Sequence, residues 1–442
     1  MKDLGIITRC RSCQSRRLRP FFNLGARPPA NSLLSHPRQK ETLYPLSLDW
    51  CAECGLAQLH QTLNPRLLFS QYLWVTGTSG TARTFAQTLY RAALARCPGL
   101  KRGYVLEVAS NDGTFLLPFK RRGFTVLGVD PAQNLAAIAR RRGVPTQTAF
   151  FGEEAARAIE TERGQARLVI ARNVLPHVAD TRDFAAGLAG ILHPDGVLAV
   201  EVHYAKTMLK ELHYDAIYHE HLCYFTLHTL ERLLNEFGLL VFDATPSPIS
   251  GGSIVVYATK HKQPERAAVG RLRSAEARTK ANAFYSWRSF AKRAGEHRRA
   301  WRALLRKESR GGKRIVGYGA SARSSTLLNF CGIDRTMISV IADQNPLKHG
   351  RWTAGSRIPI KKPAEVFGSK PDAVCILAWN FKDEIMEEVR RRFGYRGKFI
   401  IPLPRRPYVE PISKLIFPRF LSFPRNLSPE LIGGRLSRNL SS

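Results

Sequence analysis

No apolar run in this sequence is long enough to cross a bilayer, which argues against a membrane-spanning helix. A charged-then-apolar leader is also missing, since the chain reaches Cys10 at once. The expected compartment is cytoplasmic, where cysteines serve metals or catalysis more often than disulfides. Acidic residues are scarce: 35 Asp and Glu stand against 68 Lys and Arg, a net charge of +33. That balance favours anionic partners such as nucleic acid, a membrane surface or phosphorylated small molecules. Yet no basic ribbon interleaved with aromatics marks a nucleic-acid track. The excess charge therefore reads as solvated surface. With 442 residues, 44% of them hydrophobic, the chain has room for two to four domains and is not disordered as a whole.

Two knuckles come first, Cys10-Arg11-Ser12-Cys13 and Cys51-Ala52-Glu53-Cys54. Each presents two thiolates, and together they complete a four-sulfur shell, the ligand set of a structural zinc ion with no open position for chemistry. The long spacing between them requires the chain to fold back. Cys97, Cys223, Cys331 and Cys375 lack such spacing and read as small core residues. An aromatic segment, Leu68 to Trp74, then runs into Val75-Thr76-Gly77-Thr78-Ser79-Gly80, a loop ahead of a helical stretch near Ala82–Ala95.

Glycine is short where a dinucleotide turn would need it. Val105 to Ala109 reads as a buried strand, Ser110-Asn111-Asp112-Gly113 as a tight turn, and Phe115 to Arg122 as a helix, the layout of a nucleotide-binding unit. Ala109 and Asn111 stand where the fingerprint wants glycines. A pyrophosphate would be poorly served, whereas S-adenosylmethionine, which has no phosphate, needs no such close approach. Asp130, ending the next strand (Phe124–Val129), suits a ribose diol. Further strands follow at Leu168–Ala171 and Val197–Val202, the first ending in Arg172-Asn173 and the second preceded by the turn Pro194-Asp195-Gly196. Leu230–Phe237 reads as a helix. Leu239–Phe242 and Ser253–Ala258 read as strands able to pair at the sheet edge.

Between them in chemical interest stands Tyr218-His219-Glu220-His221, leading into Leu222-Cys223-Tyr224-Phe225. Four polar side chains inside an aromatic run need a reason, because an unpaired buried charge is expensive. Adjacent Glu220 and His221 can serve one site only in a loop or at a helix start. At least one of His219 and His221 is expected to be structural. Residues 263–312 read as helices joining two domains. Lys313 to Arg323, with Gly317 and Gly319, opens a second strand–turn–helix unit, followed by strands at Ile338–Asp343, Ala373–Ala378 and Lys398–Ile401.

Taken together, the two C-x-x-C pairs, Glu107-Val-Ala-Ser-Asn-Asp-Gly113, Tyr218-His-Glu-His221, Gly251-Gly-Ser253, Gly317-Tyr-Gly-Ala320, Asp343-Gln-Asn-Pro346 and Trp379-Asn380 resemble the S-adenosylmethionine-dependent sugar C-methyltransferases of deoxysugar biosynthesis. The resemblance spans Cys10 to about residue 408. It implies an α/β chain of five parts: a zinc-binding domain over 1–70, a class I methyltransferase domain over 71–262, and a helical connector over 263–312. A smaller Rossmann-like domain over 313–409 follows, and the fifth part, 410–442, rich in Pro, Leu, Arg and Ser, reads from its composition as a disordered tail. It implies that Glu107, Ala109, Asn111, Gly113, Asp130 and Asn173 hold S-adenosylmethionine and that Cys10, Cys13, Cys51 and Cys54 hold structural Zn2+. It further implies His221 as base, assisted by Glu220, Tyr218 and Tyr72. Arg323 stands where the family has Lys, and Ile249-Ser250 where a His is common.

Carbon methylation needs a carbon nucleophile, and a C–H beside a ketone supplies one once its enolate is stabilised. The expected reaction is removal of the C3 proton of a nucleotide-linked 4-keto-deoxysugar by His221, with Tyr218 on the oxyanion and the enolate attacking the sulfonium methyl. The nucleotide sugar is the expected partner, a membrane is not, nucleic acid is disfavoured, and the oligomeric state is left open, with a monomer plausible. Two alternatives stand beside this: a nucleic-acid methyltransferase, whose Asp/Asn-Pro-Pro-aromatic motif is replaced here by Arg172-Asn173-Val174-Leu175-Pro176, and a non-catalytic zinc- and nucleotide-binding protein.

Overall fold

The structure is a computed structural model that describes residues 3–410. Its centre is a seven-stranded sheet in the order Leu240–Ser247, Ser253–Thr259, Leu192–His203, Ala166–Arg172, Tyr104–Val108, Thr125–Val129, Thr146–Gln147. All neighbours are parallel except Ser253–Thr259, which runs antiparallel to both of its own. Parallel strands covered on both faces need apolar side chains in both directions. Accordingly every residue of Tyr104–Val108 is buried. The expected turn at Pro194-Asp195-Gly196 is absorbed into one long strand with a register shift between Leu192 and Val197. The helix expected from Phe115 is only Leu117–Lys120, because Pro118 belongs in a first turn.

A second, six-stranded sheet runs Ile360–Lys361, Ile341–Ala342, Ile315–Tyr318, Ala373–Ile376, Lys398–Ile401, Tyr408–Glu410, parallel except for the last. The strand expected at 338–343 shrinks to two residues. Glu410, placed in the tail by sequence, pairs with Phe399, and the rest of that expected tail lies outside the described residues. The N-terminal sheet is antiparallel, in the order Cys223–Tyr224, Ala57–Leu59, Tyr44–Cys51, Leu18–Arg27. Its edge strand is thus lent by the residues just after His221.

The stretch expected to join two domains does more than join. Helix Phe284–Glu308 buries Trp287, Phe290, Ala294, His297, Trp301 and Leu305, a stripe at three- and four-residue spacing. It packs on the N-terminal sheet through Phe21 and Phe22. The shorter helix Ala267–Thr279 carries buried Glu276, whose carboxylate accepts from the amides of Leu227 (2.6 Å) and His228 (3.1 Å). A carboxylate at the unpaired first amides of helix Leu227–Asn235 lies at the favourable end of that helix.

Candidate active site

The first turn takes its shape from left-handed backbone. Ala109, Asn111 and Gly113 have φ of 57°, 54° and 76°, and Asn173 has 50°. The two residues that replace the expected glycines therefore adopt glycine-like conformations, at a cost for Ala109. Asp130 holds this turn: Oδ2 accepts from the Asn111 amide and Oδ1 from the Ala132 amide, both at 2.8 Å. Burial raises its pKa, and each oxygen keeps a lone pair for a further donor. Glu107 lies behind the turn, 1% exposed, with Oε2 unpartnered. Burial pushes it up to about 8, against the pull of Arg172 3.8 Å away. Arg172 itself pairs with Glu201 at 2.8 Å and stacks on Phe115.

The aromatic loop closes on the same turn. Asn111 Oδ1 accepts from the Thr76 amide at 2.9 Å, Asn111 Nδ2 donates to the Trp74 carbonyl at 3.0 Å, and Asp112 Oδ2 accepts from the Gly77 amide at 3.0 Å. Asn134 clamps Tyr72 by its amide and carbonyl. That clamp directs the Tyr72 hydroxyl to Glu220 Oε2, 3.1 Å away. Asn31 of the N-terminal domain donates to Glu220 Oε1 at 2.6 Å.

Residues 217–222 form no helix or strand, the condition under which adjacent Glu220 and His221 can serve one site. Glu220 is 2% exposed, and burial lifts it to about 7, the donors Asn31 and Tyr72 opposing. His221 Nδ1 lies 2.8 Å from the Ala216 carbonyl, which can only accept. The proton is therefore on Nδ1, and the Nε2 lone pair accepts from the Tyr218 hydroxyl at 2.7 Å. Burial, then neighbouring His177 and His203, keep His221 neutral by lowering its pKa well below the usual histidine value. Burial likewise holds the Tyr218 and Tyr72 hydroxyls protonated. His219 turns the other way, against Tyr44 and the Pro45 carbonyl.

His177 was not singled out by sequence. Its ring stands edge-on to His221, centroids 4.7 Å apart, and to Phe69 at 5.6 Å. Its Nδ1 is buried without a partner, and burial lowers it to about 4. The available signal was position: it follows Asn173 beyond the carboxyl end of a sheet strand, where such sheets place ligands. The glycine turn after Ile249 faces elsewhere: Ser250, Gly251, Arg323 and Trp379 meet at the junction with the C-terminal domain.

The four cysteines of the knuckles converge, with their Sγ atoms all within 4.8 Å of one another. Cys10–Cys54 and Cys13–Cys51 are 3.6 Å apart, close to the roughly 3.8 Å edge of a tetrahedron with zinc–sulfur bonds of about 2.3 Å. They are the one such group among the described residues. Thiolates this close repel one another, so the set needs a cation to ionise together. The donor chemistry fits zinc. The strands Leu18–Arg27 and Tyr44–Cys51 make the hairpin that brings the second knuckle back. The first turn fits S-adenosylmethionine by the same kind of test: a left-handed cradle, a two-oxygen acceptor at Asp130 and the orphaned Glu107 Oε2.

Residues 10–69 match a family model for a zinc binding domain, 82–243 one for a methyltransferase domain, and 248–404 one for a C-methyltransferase C-terminal domain. C-methyltransferase NovU of Streptomyces niveus is 36% identical over 414 residues, 92% of this chain and 98% of that protein. Among solved structures, protein PH0226 of Pyrococcus horikoshii OT3 covers 44% of this chain and 97% of its own (16% identity, TM-score 0.34). Magnesium protoporphyrin IX methyltransferase of Synechocystis PCC 6803 covers 40% and 79% (13% identity, TM-score 0.32). Both are distant likenesses. Among the described residues no helix is long and apolar enough to cross a membrane. With a relative of that identity along nearly its whole length and three consecutive matching domains, the chain belongs to the C-methyltransferase family, as an S-adenosylmethionine-dependent enzyme with a zinc-binding N-terminal domain.

Proposed function

We propose that the enzyme methylates carbon 3 of a nucleotide-linked 4-keto-deoxysugar, with His221 as the base. The observation that carries this reading is the fixed tautomer: Nδ1–H is spent on the Ala216 carbonyl, leaving Nε2 as a neutral acceptor beside the Tyr218 hydroxyl. A neutral imidazole is the form that takes a proton. The ketone makes the neighbouring C–H acidic, and its electron pair moves onto the ketone oxygen as the proton passes to Nε2. For that transfer the Tyr218 hydroxyl must first turn away from the single Nε2 lone pair, and it can then donate to the new oxyanion. Glu220, tied to Tyr72 and Asn31, places the Tyr72 hydroxyl. Bound S-adenosylmethionine supplies an electrophilic methyl group on its sulfonium. Glu107, Ala109, Asn111, Gly113, Asp130 and Asn173 would hold it, Asp130 by its spare lone pairs, while zinc on Cys10, Cys13, Cys51 and Cys54 shapes the fold. NovU bears the name of a C-methyltransferase, which favours a carbon acceptor over an amine. The partner is thus a nucleotide sugar, and one subunit contains all the groups invoked.

The test is exchange of the ring proton with deuterated water, followed by mass spectrometry, for thymidine, uridine, guanosine and cytidine diphosphate 4-keto-6-deoxyhexoses. Exchange and methyl transfer on one carrier, both abolished in His221→Asn, is the expected result. Undiminished exchange in His221→Asn would remove the base assignment. Methylation of a short RNA but of no sugar would replace the substrate reading.

A further inference from the structure

We infer that the C-terminal domain is a positioning device for the base: Arg323 and Thr326 of its helix Ala322–Cys331 set the Ala216 carbonyl that fixes the His221 tautomer. This rests on the reading of His221 as the base. Tyr214–Ala216 form one 3-10 turn with no sheet partner, so local structure alone leaves its position loose. What surrounds it is specific. Asp215, fully buried, receives Arg323 Nε and Nη2 at 2.8 Å each and the Trp379 indole N–H at 2.8 Å. Arg323 Nη1 donates to the Ser250 carbonyl at 2.7 Å, and its guanidinium lies over the Trp379 ring. One turn further along the same helix, the Thr326 hydroxyl donates to the Ile217 carbonyl at 2.8 Å. The Tyr214 hydroxyl donates to His297 Nδ1 at 2.8 Å, the other nitrogen of that ring being held by the Pro402 carbonyl.

Ala216 is therefore bracketed on both sides by contacts from outside the methyltransferase sheet, and its carbonyl is the sole partner of His221 Nδ1–H. A simple staple between domains could attach anywhere on the shared surface. This one grips the residues flanking the single acceptor that decides which imidazole nitrogen is basic. Moving that carbonyl by about 1 Å breaks a hydrogen bond of this length. The proton can then shift to Nε2, leaving the lone pair on the wrong side of the ring. Arginine suits the task better than lysine, because its planar fork engages both Asp215 oxygens and the Ser250 carbonyl at once. The charged and titratable groups around His221 are Tyr218 from its own turn, His177 from the opposite strand end, His203 from the long strand and, at longer range, Arg323.

The experiment uses the full-length zinc-loaded chain labelled with 15N-histidine. Its 12 histidines are read by long-range proton–nitrogen NMR, with His221 assigned as the resonance missing from His221→Asn. The wild type should show a proton on Nδ1 and none on Nε2. Thr326→Val keeps shape but removes the hydroxyl, and Arg323→Lys keeps charge but removes the fork. Both should show a mixture of tautomers and no upward shift of the His221 titration, since the Ala216 carbonyl is the contact that raises it. Turnover of thymidine diphosphate 4-keto-6-deoxyglucose should fall about tenfold in kcat with KM within about twofold, and Thr326→Ser should restore both readings. If Arg323→Lys does not fold, Thr326→Val carries the test, since it loses only one hydroxyl. Unchanged His221 nitrogen shifts in Thr326→Val, with only the melting temperature lowered, would reduce the contact to a staple and overturn the proposal. The tautomer reading needs no turnover, so it stands apart from the base assignment, which fails only if His221→Asn stays active.

Discussion

The chain builds the same turn twice and uses it in opposite ways. In the first unit Asp130 accepts the amides of Asn111 and Ala132; in the second Asp343 accepts those of Ala320 and Asn345, at 2.7 and 2.8 Å. There the likeness ends. The first turn has Ala109 and Asn111 in left-handed backbone, and its Asn and Asp side chains reach out to a loop from elsewhere in the chain. The second has the better glycines but is plugged from within. A Cβ on Gly319 would stand 2.5 Å from that of Ala378, and Lys348 caps both the Ala320 carbonyl (2.7 Å) and Asp343 (3.4 Å). The helix beyond the second turn points its Arg323 and Thr326 at Asp215 and Ile217 instead. A glycine pattern thus reports backbone geometry, while the neighbours at the mouth of the turn decide whether it receives a ligand.

The contrast is broken most sharply at the base. His221→Asn should lower kcat by about 100-fold or more while S-adenosylhomocysteine still binds by calorimetry; a near-normal rate would leave the first unit without its chemistry. Next comes zinc. Its removal should take activity with it, because Cys223–Tyr224 pairs with Ala57–Leu59 just past Cys54, and Asn31 holds Glu220. Activity and metal content, measured by atomic absorption during chelation, should fall together; full activity in metal-free protein would sever that link.

The two acids give the direct comparison. Asp130→Asn should weaken S-adenosylhomocysteine by about tenfold or more, worth at least about 1.4 kcal/mol. Asp343→Asn should leave that affinity within about twofold yet lower stability by about 1–3 kcal/mol, since it strands Lys348 and a backbone donor. Equal affinity losses would make the second unit a cofactor site after all. A smaller effect concerns pH. Burial holds Glu220 near 7, above the ordinary carboxylate range. With its folded pKa raised, its favourable contribution is complete below the ordinary value and drains as pH rises through about 7. The wild-type melting temperature should therefore slope downward across that window, and the slope should flatten in Glu220→Gln. An identical slope in the variant would assign the titration to another group. Smallest of all, Ala109→Gly relieves a φ of 57° and should stabilise by about 1 kcal/mol, offset in part by glycine's greater freedom when unfolded; a drop in denaturant midpoint would show that the turn is not strained.

Much of the fold was legible because its signals are local. Runs such as Val105–Val108 and Leu168–Ala171 are apolar on both faces, as buried parallel strands must be, and paired C-x-x-C spacing follows from the reach of two thiols around one ion. The boundaries that shifted, at Leu117 and in the long strand through Pro194, are where a proline or a bulge competes with the pattern. His177 was invisible because nothing in a lone histidine after a strand distinguishes it from a core residue. The connector's second role was hidden too, since the stripe from Trp287 to Leu305 shows an apolar face but not what covers it.

The sequence by itself determined the two strand–turn–helix units, the four-thiol set and the unusual polar density of Tyr218 to His221, since periodicity, spacing and residue chemistry are properties of short stretches. Only the tertiary structure decided that Asn31 and Tyr72 meet on Glu220, that Ala216 orients His221 and that Arg323 answers Asp215 across 108 positions. Those are contacts between distant segments, and a hydrogen bond's partner is chosen by where packing brings the donor, which no local pattern records.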